Sequence, residues 1–163
     1  MAQHTLAVLV ENSPGVLARV AGLFSRRGYN IDSLAVGPTE DPKVSRMTIV
    51  LNLEGHALDQ VSAQLFKLVN VIGIQEMKES NTRQRELLFV KVAASRAQLE
   101  PILKDFQAEI VEEKSNYAVI QVVATAKDSA NLLEKLGKFG VRELVQSGAI
   151  AIELSSETLA EQT

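Results

Sequence analysis

Cysteine is absent from this 163-residue chain, and its only histidines are His4 and His56. Without cysteine, the chain forms no disulfide, thiolate metal site or cysteine nucleophile. The two histidines are far apart in the sequence, and neither has a second ligand at metal-binding spacing, which argues against a zinc site or a histidine-based triad. We therefore predict no metal site in this chain.

Signals for catalysis, nucleic-acid binding and membrane insertion are also missing. The sequence has no glycine-rich phosphate loop with lysine, no G-x-G-x-x-G after a strand and no serine in a nucleophile elbow. Its net charge of −3 argues against a nucleic-acid-binding protein, which usually needs a basic face. No segment approaches the roughly 20 apolar residues that cross a bilayer, and no basic start precedes an apolar stretch. We therefore predict no catalytic residues and expect a cytoplasmic protein.

The apolar pattern gives one order of elements, strand-helix-strand-strand-helix-strand, twice along the chain, about 75 residues apart. The first copy is predicted at Thr5–Glu11, Pro14–Arg27, Ile31–Val36, Ser45–Leu53, Ala57–Leu68 and Val71–Lys78. The second is predicted at Glu86–Ala93, Ser95–Gln107, Glu109–Glu113, Tyr117–Thr125, Ser129–Phe139 and Val141–Ile152. Pro101 either kinks a helix that begins after Ser95 or starts a shorter helix, and the sequence leaves both possibilities open.

This order of elements is that of the ferredoxin-like fold, an antiparallel four-stranded sheet with both helices on one face. A polar stretch, Glu79–Arg85, separates the copies and is typical of a linker. We therefore predict an α+β protein with two tandem ferredoxin-like (βαββαβ) domains, at residues 1–79 and 80–163. The uncovered sheet face and the sheet edges favour a partner subunit, and the predicted edge strand Ile31–Val36 suggests a homodimer.

The turn between the first strand and the first helix has the features of an anion site. Asn12, Ser13, Pro14 and Gly15 follow an apolar strand, so unpaired N–H groups at the helix start point outward. Pro14 suits the first helical position, which leaves the N–H groups of Gly15 and Val16 as donors. After the helix stop, Asn30 lies in the connection to the next strand. Taken alone, these residues are most simply those of an ordinary turn, a close-packed helix start and a loop.

Four segments resemble one known family. They are E-N-S-P-G-V-L at 11–17, R-G-Y-N-I-D-S-L at 27–34, P-T-E-D-P-K-V-S-R-M-T-I-V at 38–50 and E-L-V-Q-S-G-A-I-A-I at 143–152. They resemble the small regulatory subunit of acetolactate synthase, also called acetohydroxyacid synthase, over essentially the whole chain. The resemblance implies that the first domain is an ACT domain, an amino-acid-sensing module, and that the second domain contacts the catalytic subunit.

The resemblance further implies a function. Such a subunit is not an enzyme: it activates a large catalytic subunit, a transferase, and confers feedback inhibition by valine in branched-chain amino-acid biosynthesis, including that of isoleucine. No cofactor is implied on this chain, whereas thiamin diphosphate, magnesium and FAD are expected on the large subunit. The implied valine site consists of Asn12, Gly15, Val16 and Asn30, in the dimerising ACT domain.

Two other functions remain open at this point. One is a free-standing, amino-acid-sensing ACT-type regulator of transcription, which needs a DNA-binding element that the sequence does not show. The other is a small hydrolase of the acylphosphatase type, which needs an arginine in a phosphate-binding loop. The corresponding turn here has Ser13, Pro14 and Gly15 and no arginine.

Overall fold

The computed structural model describes residues 2–161, which fall into two compact units. The first unit contains the chain up to Gln84 together with the residues from Ala149 onward, and the second is Arg85–Gly148. Residues 1, 162 and 163, which the predicted domain ranges include, lie outside the described residues. Each unit has the predicted order of elements, which confirms two tandem ferredoxin-like folds.

The first unit has one antiparallel sheet with two helices on one face. Its elements are β1 (Ala2–Glu11), α1 (Val16–Arg26), β2 (Ile31–Pro38), β3 (Val44–Leu53), α2 (Ala57–Phe66) and β4 (Val71–Glu76). The strand order β2-β3-β1-β4 places β2 at an edge, as predicted. Alternation along the strands directs every second aliphatic side chain toward the helices. These side chains form a core of Leu6, Val8, Val10, Met47, Ile49 and Leu51 with Val16, Val20, Leu23, Phe24, Val61 and Leu65 from the helices.

The second unit repeats this arrangement. Its elements are β5 (Thr82–Val92, which begins in the first unit), α3 (Arg96–Leu103), β6 (Glu109–Lys114), β7 (Tyr117–Ala124), α4 (Ala126–Leu136) and β8 (Val141–Gln146), with the strand order β6-β7-β5-β8. Helix α3 begins after Ser95, whose side chain forms a capping box with Gln98. Pro101 therefore lies inside α3, and the helix ends two residues later at Leu103.

The last predicted strand, Val141–Ile152, is interrupted in the structure. It is divided into β8 and a separate strand, β9 (Ile150–Glu153). Gly148 lies between them with φ of 84°, a left-handed conformation that ends an extended strand and that glycine adopts without steric cost. The Ser147-Gly148 pair was the sequence signal for this interruption, but the aliphatic residues on both sides of it favoured one continuous strand.

Residues 149–161, here called the C-terminal strap, cover the sheet face of the first unit that carries no helices. Small and aliphatic side chains of both parts are buried together in a second cluster, Ala7, Leu9, Met77, Ala151 and Leu159. Part of the cover that we expected from a partner subunit therefore comes from the chain's own C-terminal residues. This grouping differs from the predicted ranges, which assign residues 80–163 to the second domain.

Hydrogen bonds hold the strap at several points. The Ala149 N–H donates to Ser33 Oγ at 2.9 Å, and Arg46 Nη2 donates to the Ala151 carbonyl at 2.8 Å. Glu153 accepts hydrogen bonds from Gln75 Nε2 at 2.5 Å and from Asn81 Nδ2 at 3.0 Å. The strap is thus tied to β2, β3 and β4 by polar as well as apolar contacts.

Candidate functional site

The turn before α1 differs from the predicted one in where the helix begins. We expected Pro14 at the first helical position, but α1 begins at Val16, and Gly15 precedes it with φ of 85° and ψ of −8°. These angles are those of the third residue of a type II turn, in which proline favours the second position and glycine the third. Ser13, Pro14, Gly15 and Val16 form this turn, closed by a long hydrogen bond of 3.4 Å from the Val16 N–H to the Ser13 carbonyl. The Pro-Gly pair was the sequence signal for it.

This turn changes which backbone donors are available. The Val16 N–H faces the Ser13 carbonyl, whereas the Gly15 N–H has no hydrogen-bond partner within residues 2–161. The first helical hydrogen bond runs from Arg19 to the Gly15 carbonyl, so the N–H groups of Leu17 and Ala18 precede the ladder and have no partner in the described part of the chain. The free backbone N–H donors therefore belong to Gly15, Leu17 and Ala18. Those of Leu17 and Ala18 were not predicted from the sequence.

Asn12 is fixed against a neighbouring loop, residues 39–43. Its backbone N–H donates to the Lys43 carbonyl at 2.8 Å, and its side-chain Nδ2 donates to the Pro42 carbonyl at 3.0 Å. Since the amide nitrogen faces a carbonyl, the Asn12 Oδ1 is directed away from the loop and remains an acceptor. Asn12 itself is exposed to solvent.

Asn30 lies at the other end of α1, just before β2. Its Nδ2 donates to Asp32 Oδ1 at 3.3 Å, and the second carboxylate oxygen of Asp32 accepts a hydrogen bond from Asn52 Nδ2. Asn30 and Asp32 are both exposed. Asp32 thus holds Asn30 and was not included among the predicted site residues.

The structure brings Asn12, Gly15 and Val16 together but separates them from Asn30. Helix α1 has 11 residues, which at 1.5 Å per residue is about 16 Å. An amino acid carries its ammonium and carboxylate groups on one carbon and is much shorter than this helix. One ligand cannot contact both ends of α1 in the same chain, so Asn30 can join the site only from a second copy.

Hydrogen bonds connect the charged side chains near the start of α1. Arg19 Nη1 donates to Asn70 Oδ1 at 2.5 Å, and Asn70 Nδ2 donates to Glu11 Oε2 at 2.9 Å. Asn70 thus links the Arg19 guanidinium to the Glu11 carboxylate, and the positive end of the helix dipole favours an anion near the Gly15, Leu17 and Ala18 N–H groups. The turn therefore has donors suited to a carboxylate beside an acceptor suited to an ammonium group.

Metal-binding clusters and membrane-spanning helices are both absent from the described residues, 2–161. No group of three or more histidine, cysteine, aspartate or glutamate side chains there is arranged to hold a metal ion. His4 is instead hydrogen-bonded through Nδ1 to Glu76 Oε1 at 2.9 Å. No helix in these residues is both long enough and apolar enough to cross a membrane.

Two family models match successive parts of the chain. Residues 6–73 match the model described as "AHAS small subunit-like ACT domain", and residues 85–155 match "Small subunit of acetolactate synthase". The first match lies in the unit that contains α1, with Asn12 before this helix and Asn30 after it. It confirms the prediction that this domain is an ACT domain.

Individual proteins agree with the family models. An acetolactate synthase small subunit of Mycolicibacterium smegmatis is 47% identical over 91% of this chain and 89% of its own length. A probable small subunit of Archaeoglobus fulgidus is 41% identical over 92% of this chain and 96% of its own. The crystal structure of the small subunit from Thermotoga maritima superposes with a TM-score of 0.87, at 27% identity, over 96% of this chain and all of that one. The chain therefore belongs to the acetolactate synthase small-subunit family and is a regulatory subunit of that enzyme complex, with the catalytic subunit as its partner.

Proposed function

We propose that this chain activates the large, thiamin-diphosphate-dependent subunit of acetolactate synthase, a transferase, and makes it sensitive to feedback inhibition by valine. In this proposal thiamin diphosphate, magnesium and FAD belong to the large subunit, and branched-chain amino-acid biosynthesis is the process regulated. The chain itself performs no chemical step. Its action is to bind valine in the first unit and to change the activity of its partner.

The observation that carries the proposal is the pairing of donors and an acceptor at the start of α1. The N–H groups of Gly15, Leu17 and Ala18 stabilise a carboxylate, and the helix dipole adds to their effect. The Asn12 Oδ1, directed away from the Pro42 carbonyl, accepts from an ammonium group. A zwitterion fits this arrangement better than a phosphate does, because the turn contains no lysine or arginine.

The site is completed by a second copy of the chain. Because about 16 Å separates the two ends of α1, Asn30 of one copy has to approach Asn12 of the other. A two-fold symmetric dimer built at the edge strand β2 produces two such sites, since each contact between different residues occurs twice. This explains how residues on opposite ends of one helix serve one ligand.

An apolar wall distinguishes valine from polar amino acids. Leu17 stands beside the free N–H groups, and 44% of its surface is exposed, although most leucines of this unit are buried. Its contact with an isopropyl group contributes selectivity, but one methylene more or less changes binding by only about 1 to 3 kcal/mol. Leucine and isoleucine therefore bind more weakly than valine rather than not at all.

The second unit supplies contact with the large subunit. On the sheet face away from α3 and α4, three large apolar side chains on neighbouring strands are strongly exposed, Phe89, Val123 and Val145. The corresponding face of the first unit is covered by the strap, whereas no described residue buries these three side chains. An exposed apolar cluster of this kind is typical of a protein interface.

Reconstitution with the large subunit tests the function. The purified chain is mixed with an acetolactate synthase large subunit, and acetolactate formation is measured with and without valine. We expect higher activity on mixing and inhibition when valine is added. Neither effect would be seen if the chain were a free-standing amino-acid sensor.

Calorimetry with valine tests the site. Asn12→Ala or Asn30→Ala should weaken binding roughly tenfold or more, because a hydrogen bond to a charged group contributes about 1.5 to 3 kcal/mol, while activation of the large subunit is retained. Asn116→Ala, in the exposed hairpin between β6 and β7, is the matched control and should bind normally. Unchanged affinity in both site variants would remove these residues from the site.

A further inference from the structure

We infer that Ser33 is a positioning residue through which an amino acid bound at Asn30 changes the attachment of the C-terminal strap. The inference rests on the proposed function, since it takes valine as the ligand of Asn30. It adds a route by which the ligand reaches the part of the chain that is continuous with the second unit. The observations behind it are an irregularity in β2 and a hydrogen bond on the neighbouring residue.

Strand β2 contains a bulge beside Asn30. Ile31 pairs with Leu51, but Ser33 pairs with Val50, so β2 has one residue more than β3 between these pairs. That extra residue is Asp32, which bonds to Asn30 and to Asn52. A bulge interrupts the regular ladder and aims side chains differently, so its geometry depends on the contacts of the extra residue.

Ser33, the next residue, holds the first residue of the strap. Its Oγ accepts from the Ala149 N–H at 2.9 Å, and Ala149 is 7% exposed. Only Ser147 and Gly148 separate Ala149 from β8. A shift of Ser33 therefore changes a contact at the junction where the chain leaves β8 and enters the strap.

A ligand at Asn30 competes with Asp32. The Asn30 Nδ2 has a second N–H donor, and a ligand carboxylate bound to it lies beside the Asp32 carboxylate. Repulsion between the two negative charges breaks the long, exposed hydrogen bond of 3.3 Å from Asn30 Nδ2 to Asp32 Oδ1. Asp32 is then held by Asn52 alone, the bulge relaxes and Ser33 moves away from the Ala149 N–H. The chain thus has two states, strap anchored and strap released at Ala149, and valine binds the released state more tightly.

Thermodynamic linkage predicts the sign of the change in valine affinity when Ser33 is replaced. This sign is opposite to the one expected if Ser33 only stabilised the fold. If valine binding has to break the Ser33 to Ala149 hydrogen bond, Ser33→Ala removes a competing interaction. The variant should bind valine about two- to tenfold more tightly, which is the fold-change expected from one neutral hydrogen bond. It should at the same time transmit less inhibition, because the strap no longer changes state. Simple damage to the first unit would weaken binding instead.

The test uses the full chain in three measurements. Calorimetry gives the affinity for L-valine, inhibition of the reconstituted complex gives the transmitted effect, and hydrogen exchange follows the Ala149 amide with and without valine. Three variants are compared: Ser33→Ala, Ser33→Thr, which keeps the hydroxyl on a β-branched side chain suited to a strand, and Ser45→Ala. Ser45 is a buried serine on β3 whose neighbour in the ladder, Val10, belongs to the helix-side core, so it controls for the substitution itself.

We expect valine to speed exchange at Ala149 severalfold in the wild type, in Ser33→Thr and in Ser45→Ala. In Ser33→Ala exchange should be fast without valine and unchanged by it, with tighter binding and at least a fivefold smaller inhibition. Valine binding without any change in exchange at Ala149 in the wild type would overturn the inference and leave the proposed function intact. No valine binding by the wild type would overturn both. The wild-type exchange measurement decides the matter even if Ser33→Ala does not fold.

Discussion

The guanidinium of Arg46 donates from Nη2 to the backbone carbonyl of Ala151 at 2.8 Å, although 105 positions separate the two residues in the chain. Burial lowers the pKa of Arg46 from its ordinary value, and the negative charge of Glu40 partly opposes this effect. A cation partly withdrawn from water is thus used to hold a strand that comes from the end of the chain. The strap is accordingly an integral part of the first unit, which makes its contacts testable as determinants of stability.

Leu159→Ala should destabilise the first unit. Leu159 is 6% exposed and belongs to the cluster with Ala7, Leu9, Met77 and Ala151. Truncating a buried leucine to alanine lowers the free energy of unfolding by about 2 to 5 kcal/mol. Because this cluster is small, we expect a loss of about 2 kcal/mol. Urea denaturation measures the change in the free energy of unfolding. Leu154→Ala removes a side chain that is 65% exposed and should cost less than about 0.5 kcal/mol. Equal effects of the two substitutions would show that the strap is not packed as described.

Arg46→Met should have a smaller effect than Leu159→Ala. The substitution removes the hydrogen bond to the Ala151 carbonyl, but it also removes the cost of burying the guanidinium, which the lowered pKa of Arg46 reflects. Replacing a partly buried charge by an apolar side chain of similar length is often nearly neutral. We expect the free energy of unfolding to change by less than about 1 kcal/mol, measured in urea against Arg27→Met as a surface control. A loss as large as that of Leu159→Ala would mean that the hydrogen bond outweighs the desolvation of the charge.

Periodicity in the sequence predicted the two sheets and four helices because each element has one apolar face. Leu6, Val8 and Val10 alternate along β1 and are all buried against the helices, which is the pattern that period two requires. The strap was not predicted because its buried residues are two alanines and one distant leucine, Ala149, Ala151 and Leu159. Alanine gives a weak apolar signal, and which sheet face it covers depends on the fold of the whole chain.

The sequence predicted a turn at the start of α1 but not its geometry, and the valine-site residues themselves stay a prediction. The segment from Asn12 to Val16 does form a turn before α1, but the helix start was placed two residues early because Pro14 is acceptable both at the first helical position and inside a type II turn. The separation of Asn12 from Asn30 could have been read from the predicted helix length. The sequence left open whether Asn30 joins the site from the same chain or from a partner chain, and the length of α1 favours the partner chain.

Val123→Lys should weaken activation of the large subunit without changing valine affinity. Val123 is 61% exposed on the uncovered sheet face of the second unit, and an ammonium group placed in an apolar interface loses its hydration. We expect at least a tenfold higher concentration of the small subunit for half-maximal activation in a titration of the large subunit. Val69→Lys changes a valine that is 86% exposed in the first unit and serves as the control. If both variants activate normally, the large subunit is contacted elsewhere.

Mixing the variants Asn12→Ala and Asn30→Ala should restore valine sites that neither variant has alone. In a two-fold dimer whose sites each take Asn12 from one copy and Asn30 from the other, a mixed dimer has one intact site and one site lacking both side chains. With equal amounts and free exchange of subunits, half of the dimers are mixed, so about one site in four is intact. Calorimetry after mixing should show tight binding at about a quarter of the wild-type stoichiometry. A site built within a single chain would give no tight binding in this mixture, since each chain would lack one of its own asparagines. The 11-residue length of α1 predicts the first result.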